Sequence, residues 1–184
     1  SRGLGDVYKR QGEDSAANFE AVRFGANPRY ATFVWGVGRS QRLPWEMSLN
    51  VSLSGQVASG PLLSTEQFSV GGAATVRGYN ENQILADEGF VSRVELISPN
   101  LLRLVENQEY GDVRRFVFFD YGIGSLLDAQ IGEDPSATLA STGVGMRYSF
   151  QDYASASVIF AQTLHRAFGY DVDNRILFQV NVQY

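Results

Sequence analysis

Hydrophobic and polar residues alternate along much of this chain with a period of two, the spacing of a β-strand whose faces meet different surroundings. In WEMSLNVSLSG, Trp45, Met47, Leu49, Val51 and Leu53 fall on one face, and Glu46, Ser48, Asn50, Ser52 and Ser54 on the other. The split recurs near residues 139–150, where Ala140, Thr142, Val144, Met146, Tyr148 and Phe150 oppose Ser141, Gly143, Gly145, Arg147 and Ser149. In the last segment Ile176, Phe178, Val180, Val182 and Tyr184 oppose Leu177, Gln179, Asn181 and Gln183. The pattern predicts seven strands, at 31–42, 45–58, 88–98, 113–125, 138–150, 153–164 and 174–184.

The connections alternate in length. Leu43-Pro44 and Gln151-Asp152 read as tight turns, and 59–87, 126–137 and 165–173 as long loops. The segment 99–112, PNLLRLVENQEYGD, is long where a short turn is expected. Short turns at one end and long loops at the other are the layout of an outer-membrane barrel. A soluble β-sandwich, as a binding module, would show the same alternation with its apolar face inward. Two features favour the membrane. The polar face carries Ser, Asn, Gln and Gly rather than the Lys and Glu of a solvated sheet. Aromatic residues gather at strand ends (Trp45, Tyr148, Phe150, Tyr153 and Tyr184), as interfacial girdles require. The expected fold class is therefore all-β, a transmembrane antiparallel β-barrel.

Composition narrows this reading. With 184 residues, the chain is long enough for one core or for part of a larger domain. It has no run of about 18 apolar residues, hence no membrane-spanning helix, whereas a barrel strand of about 9–11 half-polar residues escapes a hydropathy search. An aromatic content of 12% and 19 glycines suit strands joined by tight turns. The net charge of −5, with acids and bases interspersed, argues against a nucleic-acid surface. There is no cysteine for disulfides or thiolate metal sites. The single histidine, His165, leaves neither a His-rich zinc site nor a Ser-His-Asp triad, and reads as a solvated loop residue.

Smaller motifs add little. Gly122-Ile123-Gly124 follows a strand but has no third glycine and no helix after it, so it does not read as a dinucleotide site. Asn50-Val51-Ser52 fits the glycosylation pattern by chance, in mid-strand. The acids at 87–88, 133–134 and 171–173 read as solvated loop charge. No enzymatic activity, cofactor or metal is expected. The first eleven residues, SRGLGDVYKRQ, lack the apolar core of a secretory signal and read as adapter-derived, so the fold is expected within 12–184. The native chain is then expected to begin within a longer gene.

A specific motif stands at EQFSVGGAATVRGYNENQ: Gly71, Gly72, Val76, Arg77, Gly78 and Tyr79. Downstream, ADEGFVSRVEL supplies Asp87, Gly89 and Glu95, and FVFFDYG supplies Phe118, Asp120 and Gly122. Over about residues 31–184 this resembles the transporters of two-partner secretion, the haemolysin secretion/activation (ShlB/FhaC/HecB) type within the BamA-like superfamily. The resemblance implies a barrel of about sixteen strands behind a pair of periplasmic POTRA domains. This chain would supply the C-terminal seven or so, an open sheet in isolation. It implies that 59–87 is a loop folded into the lumen.

The implied function is secretion of an unfolded partner exoprotein of haemolysin or adhesin type across the bacterial outer membrane. The implied partners are that exoprotein, outer-membrane lipids and lipopolysaccharide, and the barrel assembly machinery. The terminal FQVNVQY resembles a C-terminal assembly signal through Phe178, Val180, Val182 and Tyr184, although such signals usually end in Phe. A barrel assembly factor of the same superfamily shares the lumen loop and stays open as an alternative.

The residue chemistry runs parallel. In 113–125, Val117, Phe119, Tyr121 and Ile123 form the apolar row, which turns Asp120 inward with Phe118 and Gly122. In 88–98, Val94 and Leu96 face outward and place Arg93 and Glu95 inside. An arginine at a loop tip in a partly dehydrated lumen needs an anion. Asp120 is the first expected partner of Arg77 and Glu95 the second. The planar guanidinium can grip a carboxylate through two hydrogen bonds, which lysine cannot. Gly122 is expected to leave room beside Asp120.

Overall fold

The computed structural model describes residues 22–25, 29–102, 111–151, 153–165 and 173–183. Strand β1 (Thr32–Arg42) leads through a 3-10 turn at Pro44–Glu46 into β2 (Ser48–Ala58). A short hairpin follows, β3 (Phe68–Val70) and β4 (Ile84–Ala86). Then come β5 (Glu88–Ile97), β6 (Asp112–Ser125), β7 (Ser136–Phe150), β8 (Ala154–Thr163) and β9 (Asn174–Val182). The long strands form one seven-stranded antiparallel sheet in the order β1-β2-β5-β6-β7-β8-β9, and β3 and β4 make a two-stranded sheet of their own. The sheet is open, all-β and antiparallel, as the alternation requires.

Directly opposed residues share a face, so the register sorts every side chain. Leu49, Leu96, Val117, Val144, Phe160 and Ile176 form one continuous row across six strands. The next row on the opposite face runs Asn50, Glu95, Phe118, Gly143 and Ala161, and beside it runs Ser52, Arg93, Asp120, Ser141 and Thr163. The apolar face is bare: Val117, Val144 and Phe178 are 51%, 53% and 75% exposed. Trp35 lies across Gly55 on that face, 6.0 Å from the Phe90 ring. So wide an apolar surface is unfavourable in water and is the ordinary outer surface of a barrel in lipid. The other face carries the β3–β4 hairpin and the buried core.

The edges of two elements differ from expectation. Pro44 opens a turn closed by the Leu43 amide on the Met47 carbonyl at 2.9 Å. Trp45 and Glu46 take positive φ angles of 60° and 57° there, so β2 starts at Ser48 and Trp45 leaves the apolar row. Residues 59–87, read as a loop, contain the β3–β4 hairpin. Residues 1–11, most of 99–112 (103–110) and Tyr184 of the C-terminal signal lie outside the described residues. Phe178, Val180 and Val182 share the outer face, opposite Val158, Ala156 and Ala154. No helix among the described residues is long and apolar enough to cross a membrane; in a barrel the strands cross.

Candidate functional site

The loop between β2 and β5 turns back over the inner face of the sheet. Its hairpin pairs Phe68 with Ala86 and Val70 with Ile84, giving a small apolar face. That face packs with Val76 and Tyr79 from the loop, and with Val91 and Leu139 from the wall. Three wall glycines make the approach possible. A Cβ on Gly122 would collide with Val70 and Val76, one on Gly124 with Ala86 and Ile84, and one on Gly89 with Phe68. The room that Gly122 leaves beside Asp120 is taken by Val70 and Val76 of the loop. Burying a valine or isoleucine contributes about 1.5–3 kcal/mol, so Val70, Val76 and Ile84 hold the loop independently of any ion pair.

The chain then presents Arg77 from a tight turn. The Thr75 hydroxyl accepts from the Gly71 amide at 2.8 Å, and the Gly72 amide donates to the Val76 carbonyl at 3.2 Å. Gly78 sits at φ +94°, where a side chain is strained, and a Cβ there would lie 3.2 Å from the Thr163 methyl.

Arg77 is 1% exposed and Asp120 0%. Nε and Nη2 of Arg77 donate to the two oxygens of Asp120 at 2.6 and 2.7 Å, the two-pronged grip that guanidinium geometry allows. The Arg77 backbone amide adds a longer bond to Asp120 at 3.2 Å. Nη1 donates to Glu95 at 2.5 Å, so the two expected partners are held together and not as alternatives. The guanidinium carbon stands 3.7 Å from the centre of the Phe118 ring, a cation–π contact. Gly143 and Gly145 leave the space in which the Phe118 and Phe116 rings lie flat on the wall. An isolated buried charge would be expensive. Here each guanidinium nitrogen of Arg77 donates to a carboxylate, and one flat face has a ring.

Two further ties fix the loop. The Tyr79 hydroxyl lies 2.8 Å from the His165 carbonyl and 3.0 Å from the Ala140 carbonyl, joining the loop to β7 and to the end of β8. Asp87, expected as solvated loop charge, is fully buried. Arg23 grips it at 2.5 and 2.6 Å, the Leu62 and Leu127 amides donate at 2.9 and 2.8 Å, and the Gln67 amide at 3.2 Å. Arg23 also donates to the Leu62 carbonyl. Burial works to raise the Asp87 carboxyl, but the Arg23 pair and these amides outweigh it and hold it below the usual aspartate range. From β2, the Gln56 amide donates to the carbonyls of Glu66 and Asp87 at 3.1 and 3.2 Å.

Of the residues singled out in the sequence, Gly71, Gly72, Val76, Arg77, Gly78, Tyr79, Glu95, Phe118, Asp120 and Gly122 meet in one place. Arg93 and Arg147 also belong there. Arg93 donates to the Ala74 carbonyl of the loop at 2.8 Å, and Arg147 lies 4.8 Å from the Phe116 ring centre. The strand alternation placed both on the inner face without naming a partner. The pairing of Asp87 with Arg23 was missed, because nothing local in the sequence links positions 64 residues apart. Among the described residues no group of His, Cys, Asp or Glu is placed to hold a metal ion. What the arrangement offers is a docked loop with buried, paired charge on the wall of the sheet.

The chain is 24% identical over 145 residues to the heme/hemopexin transporter protein HuxB of Haemophilus influenzae strain Rd, covering 77% of this chain and 25% of that protein. It is 23% identical over 137 residues to HuxB of strain 86-028NP, covering 73% of this chain and 23% of that protein. The chain therefore spans about a quarter of the length of these relatives. The model of the haemolysin secretion/activation protein family matches residues 4–148, taking in the loop, its wall strands and the Arg77–Asp120 pair. The chain belongs to that family, the haemolysin secretion/activation proteins of ShlB/FhaC/HecB type.

Proposed function

We propose that this sheet is the C-terminal wall of a transporter that passes an unfolded partner exoprotein, of haemolysin or adhesin type, across the outer membrane. Arg77 carries the reading. A loop arginine buried against two wall carboxylates holds 59–87 inside the barrel, where it occupies the path of a passing chain. Below the loop, past a row of Ile97, Phe116, Ile159 and Leu177, the inner face offers Ser149, Ser155, Ser157, Gln179 and Asn181, side chains that bond a moving backbone weakly. The energy source is folding of the exoprotein outside, with no nucleotide. Lipid and lipopolysaccharide surround the apolar face, and the assembly machinery inserts the barrel. The heme/hemopexin transport named for the relatives makes that cargo one to include in the assay.

Removing one partner of a buried ion pair strands the other and costs about 3–5 kcal/mol. In the complete protein, Arg77→Ala and Asp120→Ala are each expected to reduce exoprotein release into the medium strongly at unchanged amounts of folded barrel. Normal release from both variants overturns the assignment.

A further inference from the structure

Three guanidinium groups stand over two carboxylates beneath the loop, and Arg77 takes both acids. The other two arginines belong to the wall and stop just short. Arg93, on β5, is the direct cross-strand neighbour of Asp120. Its Nη1 is spent on the loop carbonyl of Ala74, while its buried Nε has no hydrogen-bond partner among the described residues. That Nε lies 3.7 Å from Asp120 Oδ1. Arg147, on β7, reaches across β6 over the Phe116 ring and brings Nη2 to 3.7 Å from the Glu95 oxygen that Arg77 does not use. Neither distance is a hydrogen bond, and each becomes one with a shift of about 1 Å.

A buried carboxylate stripped of its cation is costly. Were Arg77 the only cation in reach, a loop leaving the wall would exchange its charge-assisted hydrogen bonds to Asp120 and Glu95 for water alone, with no new cation for either acid. We propose that Arg93 and Arg147 are positioning residues that take over Asp120 and Glu95 when the loop withdraws. Arg93 exchanges the departing Ala74 carbonyl for Asp120, and Arg147 closes onto Glu95. The wall then keeps its charges paired in both states, and the loop equilibrium is set by apolar packing together with an exchange of partners. The inference rests on the transport reading only in supposing that the loop leaves its place.

The test is the rate at which the loop exposes itself. The sequence has no cysteine, and Val70 on the hairpin is fully buried against the wall. In the complete, folded protein, with any cysteine outside this sequence replaced by serine, Val70→Cys is labelled by a maleimide only when the loop departs. Adding Arg93→Gln and Arg147→Gln to that background is expected to slow labelling about tenfold or more, the factor equivalent to about 1.4 kcal/mol of lost open-state pairing. Arg93→Lys with Arg147→Lys is expected to restore much of the rate. If Arg93 is only a tether on Ala74, its removal loosens the loop and labelling accelerates. Faster or unchanged labelling overturns the proposal. Heat-modifiable migration on gels confirms that each variant is folded. Secretion from the same cells tests the transport reading separately: slowed labelling with normal secretion keeps the exchange and rejects loop exit as part of transport.

Discussion

Asp87 shows how a single residue can combine burial with ionisation. Its carboxyl titrates below the usual range, because the Arg23 pair and the Leu62, Leu127 and Gln67 donors outweigh burial. A depressed folded pKa contributes stability above the unfolded value, about 3.9, and loses it as pH falls through the folded value. Thermal unfolding of the complete barrel is therefore expected to fall steeply only below about pH 4. Asp87→Asn should lower the melting temperature at pH 7, by the equivalent of about 1.5–3 kcal/mol, and flatten the acid limb. A wild-type and a variant curve of the same shape would reject this. The sequence revealed the partners of Arg77 because an arginine in an apolar loop needs an acid, and strand alternation left few inward ones. It concealed those of Asp87, since Arg23, Leu62 and Leu127 lie 64, 25 and 40 residues away, with no periodic element to relate them.

At the scale of elements, the docked hairpin depends on what the wall lacks. Gly122→Val places a branched side chain where Val70 and Val76 now sit. Overpacking of this kind costs about 1–3 kcal/mol, and here the loop can yield where the paired strands cannot. The variant is expected to fold with normal strand content while its loop becomes sensitive to added protease; a protected loop would show that the contact is dispensable. The long strands were legible within two or three residues because each spans enough alternations to fix both faces. The β3–β4 hairpin was not, since three residues per strand carry less than two periods. The 3-10 turn was hidden because Trp45 and Met47 continue the apolar alternation through Pro44–Glu46, although the backbone there has left the sheet.

For the whole molecule, the two faces of one sheet face different solvents. Val144 lies in the bare apolar row and Gln179 on the loop side of β9. Val144→Arg is expected to destabilise the complete barrel by about 2–4 kcal/mol in a bilayer, whereas Gln179→Arg leaves it nearly unchanged. Equal effects in a bilayer-folding titration would contradict the assignment of faces. Periodicity alone could not say which face met lipid, because a sandwich core alternates in the same way. The decision came from the polar rows, rich in Ser, Asn and Gln, and from the aromatics at strand ends. The contacts that seat the loop against the sheet were set by long-range packing that no local pattern encodes.

The ties of the loop also imply an order of folding. The Arg77–Asp120 bond joins residues 43 apart, and the Tyr79 hydroxyl reaches partners 61 and 86 positions along the chain. Closing such distances is entropically unfavourable until neighbouring strands have already gathered the ends. Strands β6 to β8 must therefore be in register before Tyr79 has anything to hold. The loop is expected to dock late, onto wall strands that are already paired.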